Sequence, residues 1–124
     1  MSLTILAIDD SATMRDMLRL ALSSAGFNVH LAEDGIDALE KFPGMEPDVI
    51  ITDINMPRMD GFGVIDAVRN GTERPTTPIL VLTTESAQEL KDRARRAGAT
   101  GWIVKPFDHE KLVAAIHRVA SPGS

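Results

Sequence analysis

Five residues with the side chains needed for phosphoryl chemistry each stand just past a short apolar run. Asp9 and Asp10 follow 3–8, Asp53 follows 49–51 by one residue, Thr83 follows 79–82, and Lys105 follows 102–104. Carboxylates brought together repel one another unless protons or a cation neutralise them. Oxygen ligands without nearby His or Cys select a hard ion such as Mg²⁺, which commonly keeps waters while bridging carboxylates to a phosphoryl oxygen. An ammonium from Lys105 and a hydroxyl from Thr83 complete what a phosphoryl group on Asp53 would need.

Each residue also has a plainer reading. Asp9 or Asp10 after a strand could be a helix N-cap, with Ser11 as a further candidate. Lys105 could be a solvated strand-end lysine and Thr83 a β-branched strand residue. The joint pattern favours the site. Pro106 follows Lys105, and a cis bond there would aim the lysine inward, although most X-Pro bonds are trans and composition does not decide it.

The chemistry requires elements that bring these positions together. Apolar runs alternate with helix-period segments, five pairs in all, which predicts a parallel sheet with helices on both faces. Segments 3–8, 49–51, 79–82 and 102–104 are nearly uninterrupted and are expected to be buried strands. Segment 28–32 alternates, placing Val29 and Leu31 against Asn28 and His30, and belongs at an edge. The first helix presents Met14, Met17, Leu18, Ala21, Leu22 and Ala25 on one face, with Gly26 as its stop. The second helix is expected from about Gly35 to just before Pro43 and Gly44, and the third from about Gly61 to Asn70. The fourth, about 86–97, has only Ala87, Leu90, Ala94 and Ala97 inward, a weaker anchor than the fifth helix's Leu112, Ile116, Val119 and Ala120. Right-handed crossovers then give an α/β, flavodoxin-like, doubly wound (βα)5 fold with strand order 2-1-3-4-5. Ligands bind such sheets beyond the carboxyl ends of the strands, where all five polar residues fall.

Composition narrows the classes. The 124 residues suit one domain, 1–124, with 121–124 as a loose tail and no output domain in cis. Thirteen Lys and Arg against eighteen Asp and Glu give a net charge of -5, which opposes attraction to nucleic acid. No apolar run approaches a bilayer span and no basic region leads into a cleavable segment at the N-terminus, so no membrane is expected and the cytoplasm is the expected location. The absence of cysteine removes disulfides, thiolate metal sites and thiol nucleophiles. His30, His109 and His117 are dispersed and read as structural or solvated. Met14 and Met17 read as core filler, Met56 and Met59 as loop residues near Asp53. Lys91, Arg93, Arg95 and Arg96 form a solvated helix face or a basic patch on the side of Trp102.

Five segments carry a resemblance over essentially the whole chain: Asp9-Asp10-Ser11-Ala12-Thr13-Met14-Arg15, Ala32-Glu33-Asp34-Gly35, Thr52-Asp53-Ile54-Asn55-Met56-Pro57-Arg58-Met59-Asp60-Gly61, Leu82-Thr83-Thr84, and Trp102-Ile103-Val104-Lys105-Pro106-Phe107. The sequence resembles bacterial two-component response-regulator receiver domains, most of all the stand-alone chemotaxis regulators of the CheY type. The resemblance implies that Asp53 is the phosphoacceptor, that Asp10 binds Mg²⁺ directly, Asp9 through water and Asn55 through its backbone carbonyl. It makes Thr83 and Lys105 the phosphoryl-sensing pair, Lys105-Pro106 a family cis bond, and Trp102 the switch aromatic, where relatives usually have Tyr or Phe; the plainer reading of Trp102 is a partly exposed edge-strand aromatic that only covers the core. Thr84 is larger than the small residue common at its position and could restrict access.

The implied partners are a histidine kinase or phosphotransfer domain, with a flagellar motor switch protein and a phosphatase as further candidates for a monomer acting as motor regulator or phosphate sink. The protein would catalyse its own phosphorylation and dephosphorylation without being a turnover enzyme. Two other classes are weighed against this. A phosphohydrolase of the haloacid-dehalogenase type needs a second acid where Asn55 stands. A flavodoxin-like cofactor binder needs a glycine-rich loop where Asp9-Asp10-Ser11-Ala12 stands.

Overall fold

The computed structural model describes residues 2–120; the expected tail at 121–124 lies outside them. Ten elements alternate in order: β1 (Thr4–Ile8), α1 (Ala12–Ser24), β2 (Asn28–Ala32), α2 (Gly35–Met45), β3 (Val49–Thr52), α3 (Gly61–Gly71), β4 (Ile79–Thr83), α4 (Gln88–Ala97), β5 (Gly101–Val104) and α5 (His109–Ala120). The strands form one parallel sheet in the order β2-β1-β3-β4-β5, the flavodoxin-like winding expected.

Alternation along the inner strands divides the core between the two faces. Leu6, Ile8, Ile50, Ile79 and Val81 pack with Phe42 of α2, Val64, Ile65 and Val68 of α3, and Ala94 of α4. Ile5, Ala7, Val49, Ile51, Leu80 and Leu82 pack with Leu18 and Leu22 of α1 and Leu112 and Ile116 of α5. Full burial of each such aliphatic side chain contributes about 1.5–3 kcal/mol. The strand ends that carry polar residues are thereby held on a rigid platform.

Four expectations need correction. The 102–104 segment is not a buried strand: β5 ends the sheet, its residues are half-buried or, at Val104, exposed. A short apolar run looks the same at an edge as in the centre. Helix α2 continues through Pro43 to Met45, because a proline this close to the end forfeits a single internal bond; Glu46, at φ 50°, closes the helix with its N–H on Phe42 O. Met17 is 46% exposed rather than core filler; Leu18 and Leu22 are the fully buried residues of α1, with Met14 and Ala25 packed against the same core as expected. Ala87 is exposed and precedes α4, whose one fully buried residue is Ala94, so the anchor is weaker still than the pattern indicated.

Side-chain contacts hold α4 where its apolar face does not. Arg69 of α3 donates from Nε and Nη2 to Gly98 O, at 3.0 and 2.8 Å, capping the C-terminal end of α4. Its Nη1 donates to Pro75 O and Thr77 O in the loop before β4. Arg93 lies 3.8 Å from the centre of the Phe62 ring, a cation–π contact across α3 and α4.

Candidate functional site

The turn after β1 frees two carboxylates for other work. Ser11 caps α1, its hydroxyl accepting from Met14 N at 3.2 Å, so neither Asp9 nor Asp10 is the N-cap. Asp9 is buried and turns Oδ1 onto Ser11 N at 2.9 Å; Arg15 donates from Nη1 to its carbonyl at 2.7 Å. Asp10 is exposed. The β1–β3 register pairs Ile8 with Thr52, and Asp53 N donates to Ile8 O at 3.0 Å, so Asp53 arrives beside Asp9. Asp9, Asp10 and Asp53 each offer an oxygen within 4.8 Å of the others.

Lys105 enters from β5, its N–H on Thr83 O at 2.8 Å and its bond to Pro106 cis, the isomer composition left open. Nζ stands 2.7 Å from both Asp9 Oδ2 and Asp53 Oδ2, with the side chain only 11% exposed. It is not a solvated lysine. Burial pulls the ammonium down, but its hydrogen bonds to Asp53 and Asp9 outweigh this and hold Lys105 above the usual lysine value. Three carboxylates facing one ammonium leave an excess of two negative charges. With oxygen-only donors, that is the charge and ligand chemistry a divalent hard cation satisfies.

Asp53 itself is half-engaged: Oδ1 accepts from Ile54 N at 2.6 Å while Oδ2 meets Lys105. Thr83 is fully buried, and its Oγ1 accepts from Glu85 N at 3.4 Å. Asn55 donates from Nδ2 to Glu85 Oε1 at 3.0 Å, and its backbone carbonyl accepts no hydrogen bond among the described residues. Trp102 is half-buried, and its Nε1 donates to Glu85 O at 3.0 Å, giving the indole the partner it needs. Glu85 therefore links Asn55, Thr83 and Trp102. Nothing in a single sequence marks it beyond its place two residues after Thr83. Thr84 is exposed at the same strand end.

The loop from Asp53 to α3 is bound to the rest by contacts that sequence reading also missed. Arg58 makes a two-pronged ion pair with Asp34, Nε–Oδ2 at 2.7 Å and Nη2–Oδ1 at 3.0 Å. Asp34 is buried and also caps α2 through Asp37 N. Its hydrogen bonds from Arg58, then from Asp37 N, hold its carboxyl below the usual value. The spacing of Asp34 and Arg58, 24 residues, carries no local signal.

A family model described as the response regulator receiver domain matches residues 5–117. The chain belongs to that family. Response regulator MprA of Mycobacterium ulcerans (strain Agy99) is 40% identical over 114 residues, which are 92% of this chain and 48% of the relative. Regulatory protein AtoC of Escherichia coli (strain K12) is 37% identical over 114 residues, 24% of its length. The receiver thus spans about half of one curated relative and a quarter of the other. Among solved structures, chemotaxis protein CheY4 of Vibrio cholerae matches at 45% identity and a TM-score of 0.91, over 96% of this chain and 99% of that one. The signal receiver domain of a histidine kinase from Syntrophus aciditrophicus matches at 28% identity and a TM-score of 0.89, over 99% of this chain and 93% of that one.

Receiver domains are phosphoacceptor switches of phosphorelay signalling rather than turnover enzymes; they interact with histidine kinases or phosphotransfer partners and typically bind Mg²⁺. The acid cluster of this receiver offers a place for such an ion. The β1–α1 turn, Asp9-Asp10-Ser11, carries no glycine. Among the described residues, no helix is long and apolar enough to cross a membrane.

Proposed function

We propose that this receiver accepts a phosphoryl group on Asp53 from the phosphohistidine of a kinase or phosphotransfer partner, and that it serves chemotaxis. The observation that carries the phosphoacceptor reading is the position of Lys105 Nζ, 2.7 Å from Asp53 Oδ2 inside a cluster of acids. An oxygen of Asp53 attacks phosphorus, the P–N bond of the donor breaks, and the imidazole leaves. Lys105 is within reach of an oxygen of the incoming group. The Thr83 hydroxyl accepts from Glu85 N and donates to no acceptor among the described residues, so its hydrogen can go to another oxygen of that group. Asp9, Asp10, Asp53 and the Asn55 carbonyl would hold Mg²⁺, which when bound neutralises charge on the transferred group. Water later hydrolyses the acyl phosphate and resets the switch.

The readout in this proposal runs from Thr83 through Glu85 to Trp102, since a shift of the Thr83 hydroxyl disturbs the Glu85 backbone on which the indole hangs. Chemotaxis, rather than another phosphorelay, is supported by the likeness to CheY4 over 99% of that chain. Either a flagellar motor switch protein or the kinase alone, with the receiver draining its phosphate, completes the pathway, and a phosphatase would shorten the signal. A pulldown with and without beryllofluoride discriminates: capture of a motor switch protein only with the mimic supports motor control, and capture of a transcriptional component would overturn the chemotaxis assignment.

A further inference from the structure

The loop that carries Asp53 and Asn55 is bent more tightly than its sequence favours. Met59 N donates to Pro57 O at 2.7 Å, closing a three-residue turn around Arg58, whose φ is 63°. A turn of that kind with a non-glycine residue at positive φ is rare and strained. Such strain persists where surrounding contacts over-determine it.

Here the contacts come from the loop before α2. The guanidinium of Arg58 grips both oxygens of buried Asp34. Gly35 N donates to Met59 O at 3.3 Å, and Met59 packs so closely on two glycines that a β-carbon at Gly35 would stand 2.6 Å from its Cγ and one at Gly63 2.7 Å. Beyond the turn, Gly61 N returns to Ile54 O at 2.9 Å, so residues 54–61 form a closed loop that carries Asn55. Arg58 is half in solvent, and Asp34 is its one ion-pair partner among the described residues.

We propose that Asp34 and Arg58 are positioning residues for the metal site: their ion pair fixes the strained turn and thereby holds the Asn55 backbone carbonyl in line with Asp9, Asp10 and Asp53. The inference rests on the preceding reading of those residues as Mg²⁺ ligands. It adds a pair that touches neither ion nor phosphoryl group and acts only through the loop. A bidentate fork suits the task better than a point charge, so lysine at 58 should serve only in part.

Calorimetric titration with Mg²⁺ tests it, using wild type, Asp34→Asn, Arg58→Ala, Arg58→Lys and the Asp34→Asn/Arg58→Ala double variant, each checked for a cooperative urea transition. Asparagine at 34 can still cap α2, so that variant removes the ion pair and leaves the helix start. Expected are affinities weaker by about tenfold for Asp34→Asn and Arg58→Ala, an intermediate loss for Arg58→Lys, and a double variant no worse than either single one. In metal-free protein, amide exchange at Met59 and Gly61, whose N–H groups close the loop, should accelerate in the same order, a change that a general loss of stability would spread over the whole sheet. Wild-type Mg²⁺ affinity in folded variants, or losses that add, would overturn the positioning role. If wild type itself takes up no Mg²⁺, the reading of the metal site fails and the inference with it.

Discussion

The indole N–H of Trp102 rests on the backbone oxygen of Glu85 at 3.0 Å, while the N–H of the same Glu85 rests on the hydroxyl of Thr83. One peptide neighbourhood thus joins the edge strand β5 to the buried end of β4. Trp102 is the chain's single tryptophan, so its emission reports this neighbourhood alone.

Beryllofluoride added to Mg²⁺-loaded protein should therefore change both the emission of Trp102 and its access to a quencher. Thr83→Ala should still bind the mimic and lose most of that additional change. Unchanged emission and quencher access in activated wild type would make Trp102 a fixed packing residue.

Removing a ligand should weaken the ion's hold directly. Asp10 is exposed and its side chain makes no hydrogen bond or ion pair among the described residues, so Asp10→Ala should keep the fold and weaken Mg²⁺ binding by roughly tenfold or more, with slower phosphorylation by small donors. A Mg²⁺ titration identical to wild type would remove Asp10 from the site.

Acid should report on Asp34. In the folded protein its carboxyl titrates below the ordinary aspartate value because of hydrogen bonds from Arg58 and then from Asp37 N. A depressed carboxyl stabilises the fold above the unfolded value, and that contribution is lost as pH falls through the folded one. The difference in Tm between wild type and Arg58→Ala should accordingly stay constant from neutral pH to about pH 5 and shrink below about pH 3.8. A difference that persists undiminished into acid would mean that Arg58 acts through packing.

Arg69 is the test of how α4 is held. Arg69→Ala strips the donors from Gly98 O, Pro75 O and Thr77 O, and should destabilise the protein by on the order of 2 kcal/mol in urea unfolding. Proteolysis should then cut first near α4. A loss below about 0.5 kcal/mol would show that water replaces the guanidinium without cost.

The strand order and the gathering of Asp9, Asp10, Asp53, Thr83 and Lys105 were legible because periodicity and chain crossovers act over whole segments. An unbroken run such as 79–82 differs physically from an amphipathic helix, and the strand-end residues follow from it. What escaped depended on two distant residues meeting. Asp34 with Arg58, Arg69 with Gly98, and Asn55 with Glu85 are pairs without local pattern, formed only once loops are placed. The burial of 102–104 was misjudged for the related reason that an apolar run does not say how many neighbours it will have, and Pro43 because its cost depends on the turns that follow it.

The central claim is that Asp53 takes the phosphoryl group. Wild type incubated with Mg²⁺ and labelled acetyl phosphate should acquire label that base and hydroxylamine remove, and mass spectrometry should place it on the peptide containing Asp53. Asp53→Asn should acquire essentially none while keeping its fold. Full labelling of Asp53→Asn, or label mapped to any other residue of wild type, would contradict the account.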